Sequence, residues 1–194
     1  MQDEIQTQSD GAGPMYHRIY AVDLAVDYDK ALKTMHQVMS DPNVFSPQAI
    51  ARFEKTAGRP GVLAEGDEFM VHITAPWNGP VRVAHVNENS FSLLTREGHI
   101  EAGRIEFRLV RRGERARFEI ESLTRSKDQI VNFFYDKLRL AQFAQTEMWE
   151  LYCKAFAEHA STPKPKIDVR TERQDRETGQ WVDVSDQFGA QGLY

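Results

Sequence analysis

The longest helical pattern in the chain runs from Ser126 to Ala160 without Gly or Pro. Ile130, Phe134, Leu138, Ala141, Met148, Tyr152 and Ala155 recur on one side, the spacing of an amphipathic helix. Ser126 followed by Gln129 reads as a capping box, and Asp128 places a carboxylate in the first turn. Ser161, Thr162 and Pro163 close the far end, because Pro cannot continue a helix. At 1.5 Å per residue such a helix is about 50 Å long and needs a broad apolar surface to lie on.

The rest of the pattern supplies that surface. Met15 to Val22 is aromatic and β-branched and predicts a first strand. Asp27 predicts an N-cap for a helix to Met39, and Ser46-Pro47 the start of a second short helix ending near Ala57-Gly58. From Asp67 the period becomes two. Phe69, Val71 and Ile73 alternate with Met70, His72 and Thr74, and a turn at Pro76 to Pro80 leads to a partner strand, Val81 to Asn87. Three more strands follow at Phe91 to Glu97, Ile105 to Val110 and Ala116 to Thr124. Short connections imply antiparallel pairing, and one charged face implies a sheet covered on one side.

The order is strand, two short helices, five strands, long helix. This predicts an α+β helix-grip fold: a curved antiparallel sheet wrapped round a long C-terminal helix, with an apolar cavity between them. Residues 1–14 are polar and read as a disordered arm, 15–161 as the domain, and 162–194 as a charged tail. In that tail IDVRTE and QWVDVS flank a turn at Arg176 to Gly179 and predict a β-hairpin. Its apolar face is Ile167, Val169, Val182 and Val184, with Trp181 on the other side. Two strands alone are marginal, so the hairpin is expected to pack on the domain or on a second copy, making a homodimer through the tail.

Composition narrows the function. A net charge of -5 argues against nucleic acid as a partner. The single cysteine, Cys153, makes no intrachain disulfide and reads as a helix-packing residue. No apolar run reaches membrane-spanning length, and the N-terminus lacks signal-peptide character, so cytoplasmic residence is expected. There is no glycine-rich phosphate loop, nucleophile elbow or CxxC, and the histidines lack paired ligand spacing. Neither a metal nor a cofactor is expected.

Several short motifs carry a family resemblance. They are Asn78-Gly79-Pro80-Val81-Arg82-Val83, the stretch FSLLTREGHIEAGRIEF from Phe91 to Phe107, Ile120 to Ser126, and Leu140-Ala141-Gln142 with Tyr152. In order and spacing they resemble a domain-of-unknown-function family shared by bacteria and plants, within the START-like (helix-grip) superfamily. The likeness spans roughly Met15 to Ala160. Gly79 is inserted before the turn proline, Arg104 and Ile105 separate Gly103 from Glu106, and Ser126 replaces a proline. The resemblance implies the fold and no activity of its own. The wider superfamily contains lipid and hormone binders, polyketide cyclases and ring-hydroxylating oxygenases.

The candidate site residues follow from this picture. Trp77, Phe134, Tyr135 and Tyr152 are expected to line the cavity. Gln142 is a polar amide on an apolar helix face and needs a partner there. Arg125, where the last strand meets the helix, reads first as tying the strand end to neighbouring backbone; the alternative is that it holds an anionic ligand group at the cavity mouth. His99 between Glu97 and Glu101 reads first as a polar loop with His99 bonding backbone; it is also the one cluster suited to acid–base catalysis. Arg82, Arg104, Arg108, Glu106, Glu119 and Glu121 read as cross-strand pairs on a solvated face. The expected function is binding of a small apolar or amphipathic molecule between sheet and helix. Alternatives are a cyclase-, dehydratase- or hydrolase-like enzyme using His99, and an interaction module dimerising through its tail.

Overall fold

A computed structural model describes residues 5–73, 78–127 and 139–187 of the chain. Strand β1 (Tyr16–Asp27) leads into helix α1 (Tyr28–Ser40), whose cap is Asp27 accepting from the Lys30 N–H at 2.8 Å. Then come β2 (Ala51–Ala57), β3 (Glu68–Ile73), β4 (Asn78–Val86), β5 (Ser90–Thr95), β6 (Glu101–Arg112) and β7 (Arg115–Ser126). Helix α2 is described over Arg139–His159, and β8 (Ile167–Gln174) and β9 (Trp181–Asp183) follow. One antiparallel sheet joins all nine strands in the order β2-β3-β4-β5-β6-β7-β1-β8-β9.

Alternation along the strands sorts side chains onto two faces. Tyr20, Val22 and Leu24 of β1, Phe118 and Ile120 of β7, Phe107 and Leu109 of β6, and Phe91 and Leu93 of β5 are buried on the concave face. Helix α2 lays Met148, Trp149, Tyr152, Cys153 and Phe156 on them. Phe118 stacks on Phe156 with centroids 3.9 Å apart, and Phe107 meets Trp149 edge-on at 5.5 Å. Each such aromatic contributes about 1.5–3 kcal/mol through burial. The convex face carries the ions. Arg108 bonds Glu119 at 2.8 Å and also Glu121, while Arg117 reaches Asp23 at 2.9 Å and Asp168 at 3.0 Å.

The structure corrects four expectations. Residues 51–57 are a strand paired with β3, not a second helix; between α1 and β2 stands one turn of 3-10 helix, Pro42–Val44. Ala51 and Phe53 already alternate with Arg52 and Glu54, and pairing with β3 overrides the Ser46-Pro47 start signal. Ser126 does not cap a helix. It is the last residue of β7, paired with Glu101, and its carbonyl accepts from the Ala12 N–H at 2.9 Å. The turn expected up to Pro80 is strand from Asn78 onward. Finally, the described part of the arm is docked. Ile5 bridges Arg96, and Gln6 is buried, donating its N–H to Thr95 O at 2.9 Å.

The helix ends with a device the sequence does not announce. Ser161 adopts φ 63° and the Thr162 N–H returns to Ala157 O at 2.8 Å, a Schellman-type closure. The Thr162 hydroxyl then accepts from the Ala25 N–H at 2.9 Å, aiming the chain back at β1. Strand β8 pairs with β1 of its own chain from Tyr16↔Arg173 to Val22↔Ile167. Trp181 lies on the convex side, 5.9 Å from the His17 ring. Among the described residues no helix is long and apolar enough to cross a membrane.

Removing residues 163–194 takes away β8, one of the two ladder partners of β1, and leaves β7. Differential scanning calorimetry of that truncation should show a Tm more than about 5 °C lower. An unchanged Tm would mean β1 does not need β8.

Candidate functional site

The concave face is apolar under residues 148–160 and polar toward the other end of the strands. Arg18 shares the inward parity of Tyr20 and Val22, and Glu101 that of Gly103, Ile105 and Phe107. Both are buried, with side chains 4% and 6% exposed, and Arg18 Nη1 stands 3.7 Å from Glu101 Oε1. Nη1 also donates to Thr124 Oγ1 at 3.3 Å, and the guanidinium lies 4.7 Å over the Tyr16 ring. The Tyr20 hydroxyl is 3.4 Å from Thr146 Oγ1 of α2, and burial raises the pKa of its phenol. Arginine, carboxylate and three hydroxyls thus lie together as a strip on the concave face, beside the inward-facing Ser122 and Ser126.

His99 forms the lip of this strip. Its Nδ1 lies 2.9 Å from Glu101 N and 3.0 Å from Glu101 O, so the backbone of Glu101 holds the ring in either tautomer. Burial lowers its pKa, and the ring is neutral at pH 7. The ring lies where β4 has no side chain: a Cβ on Gly79 would sit 2.3 Å from Cδ2 and 2.4 Å from Nε2. Gly79 faces the concave side with Val71 and Val81, so only glycine leaves room for the imidazole. The loop bearing His99 is held from below by Gln6, whose amide donates to Arg96 O and, at 3.3 Å, to His99 O.

The structure brings His99 and Glu101 together, through the Glu101 backbone. The carboxylate of Glu101 faces Arg18, and Glu97 is exposed in the turn. Arg125 ties the end of β7 to backbone of the N-terminal arm. Its parity puts it on the convex face, paired with Ala102, where Nη1 donates to Gly11 O at 3.3 Å. A Cβ on Gly11 would meet Arg125 Cγ at 2.2 Å, so the arm lies directly on this side chain. Tyr152 is a core residue between Phe107 and Phe118, its hydroxyl donating to Pro42 O at 2.9 Å. Trp77, Phe134 and Tyr135 lie outside the described residues; Gln142 is in α2, with its side chain outside them. Cys153 is buried, its thiol directed at Tyr20 O 3.7 Å away, and burial pushes its pKa up. Among the described residues no three His, Cys, Asp or Glu side chains converge to hold a metal ion.

Sequence reasoning missed Arg18, Thr124, Tyr20 and Thr146. The signal for two of them was present. A charged residue at an inward position of β1, and a threonine at an inward position of β7, break the apolar alternation. The contact between Tyr20 and Thr146 joins strand to helix and has no local trace.

Residues 20–155 match the family described as Domain of unknown function (DUF1990), and the chain belongs to that family. No curated protein sequence matches it. Norcoclaurine synthase from Thalictrum flavum has a similar structure, with TM-score 0.53 at 11% identity over 83% of this chain and 95% of that one. The solution structure of KanY is similar at TM-score 0.51 and 9% identity, covering 74% of this chain and 95% of that one. So is the di-domain ARO/CYC StfQ of the steffimycin biosynthetic pathway, at TM-score 0.52 and 14% identity, over 79% of this chain and 53% of that one. At these identities the likeness is one of fold.

The close approach of Gly79 and His99 is testable by a double-mutant cycle. Gly79→Ala should cost about 1–3 kcal/mol in urea denaturation, and much less in a His99→Ala background. Equal costs in both backgrounds would show that the ring does not fill this space. The pH dependence has a defined sign. Unfolded His99 takes up its proton near 6.5, the folded ring only at lower pH. Stability should therefore fall as pH drops below about 6.5, and His99→Gln should flatten that slope.

Proposed function

We propose that this member of the DUF1990 family is a soluble, cytoplasmic binding protein for a small amphipathic molecule. The ligand sits between the sheet and the C-terminal helix, over the strip formed by Arg18, Glu101, Thr124 and Tyr20. One observation carries this reading: an arginine and a carboxylate buried side by side on the concave face of a START-like sheet. Burying two charges costs several kcal/mol each before their attraction is counted. A pair whose members each have hydrogen-bonding capacity can direct a ligand's polar end while the apolar strands take its body. The fold supports this, since norcoclaurine synthase is recorded in complex with dopamine and hydroxybenzaldehyde, both small aromatic molecules. Under residues 148–160 the concave face is filled by Trp149, Tyr152 and Phe156, so the ligand belongs at the polar end.

An acid–base enzyme is the less favoured reading. The Glu101 backbone, not its carboxylate, orients His99, and Glu97 points to solvent.

Fluorescence titration with N-phenylnaphthylamine tests the reading, using Thr124→Phe as the variant. An open site accepts the added ring: Tm stays close to wild type and probe affinity drops by about tenfold or more. A filled face rejects it, and overpacking costs about 1–3 kcal/mol. A destabilised variant, together with wild-type protein that binds no probe, would refute ligand binding here.

A further inference from the structure

Among the described residues, His17 is the one histidine with a carboxylate at each ring nitrogen. It stands on the convex face of β1, between β7 and β8. Nε2 lies 2.8 Å from Glu121 Oε1, and Nδ1 lies 3.1 Å from Glu172 Oε2. The three side chains are only 16–22% exposed. Register brings them together: His17 faces Glu172 on β8 and Leu123 on β7, with Glu121 one position along the same face as Leu123. Behind Glu121, Arg108 of β6 bonds it in turn. Beside Glu172, Arg170 of the same strand donates to its other oxygen at 2.7 Å. Arg104, in register with Leu123, lies two strands away. The Trp181 ring of β9 closes the imidazole from the side, edge-on at 5.9 Å.

An ionised carboxylate accepts hydrogen bonds and donates none. Burial works against the charge of Glu121, but the His17 bond and Arg108 outweigh it and hold its pKa below the ordinary value. Two contacts of hydrogen-bond length to two carboxylates need two N–H groups, and only the imidazolium form has two. A neutral ring keeps one N–H and turns a lone pair on the other carboxylate, so one attraction becomes a repulsion in a partly buried place. Glu121 is fixed from its far side by Arg108, on strands inside the sheet. Glu172 stands near the sheet edge, and Arg170 moves with it because both are on β8. The strand free to yield is β8.

We propose that His17 is a proton-operated clamp that fastens the tail strand to the domain. Charged, it joins β7, β1 and β8 through both ring nitrogens; neutral, it lets β8 and β9 loosen from β1. The sign follows from the proton count. The clamped tail needs the proton, so its attachment is full on the acid side and weakens as pH rises through the range in which histidine changes charge. That sign is opposite to the one for His99, where burial favours the neutral ring. The clamp does not depend on what the concave face binds.

Hydrogen exchange read by NMR on the full chain tests it, with β8 amides compared against β6 amides in the same samples at about pH 6 and about pH 8. In wild-type protein the protection of β8 relative to β6 should fall about tenfold on the alkaline side, the worth of one charge-assisted hydrogen bond. Glu172→Gln keeps the side-chain shape and adds an N–H that can donate to the neutral ring, so its tail should stay protected at both pH values. His17→Gln carries no titrating ring, and its β8 protection should be the same at both. Circular dichroism establishes that each variant is folded; if one is not, wild type and the other variant decide. Wild-type β8 protection that does not change with pH overturns the proposal. So does a fall of wild-type size in either folded variant.

Discussion

The seating of α2 on the concave face is the constraint from which the rest of the structure follows. Phe118 stacked on Phe156, and Phe107 against Trp149 and Tyr152, fix where the helix can lie along the strands. Close-packed aromatic contacts of this kind tolerate little displacement. Tyr152 adds a polar tether, its hydroxyl bonded to Pro42 O in the 3-10 turn after α1. Residues 148–156 of the helix thereby cover the apolar part of the concave face, while Arg18, Tyr20, Glu101 and Thr124 mark a polar part among the described residues.

The polar part is held in position by its surroundings. His99 stands on the loop between β5 and β6 and Glu101 opens β6, and that loop is pinned by Gln6 from the N-terminal arm. Arg18 stands on β1, which is hydrogen-bonded on both sides, to β7 and to β8. Arm and tail lie outside the family match, yet each braces a strand or loop that carries a site residue. The two also touch, since Arg176 of the tail bonds Ala12 O of the arm. They act as buttresses for the site.

The convex face has a different role. Arg108, Arg117, Glu119 and Glu121 form continuous ion pairs across β6 and β7 and on to Asp168 of β8. Surface pairs of this sort contribute little individually. Their arrangement suits a solvated face and requires no ligand. Arg125 belongs to this side as well.

The sequence by itself determined the strands from Glu68 onward, the antiparallel order, the cap at Asp27 and the amphipathic helix containing Tyr152 and Cys153. Each of these rests on local periodicity or on a residue type whose conformational preference acts within a few positions. It also marked His99 and Glu101. Tertiary structure alone decided the remainder. Residues 51–57 became a strand because β3 offered an edge, and Ser126 became a strand residue because Glu101 lies opposite it. Arg18 lies 83 residues before Glu101 in the chain, and no local rule joins them. The glycine at 79 makes sense only beside the His99 ring it admits. Periodicity reports which face a residue takes; which residues meet there depends on how the strands are ordered, and that is a property of the folded sheet.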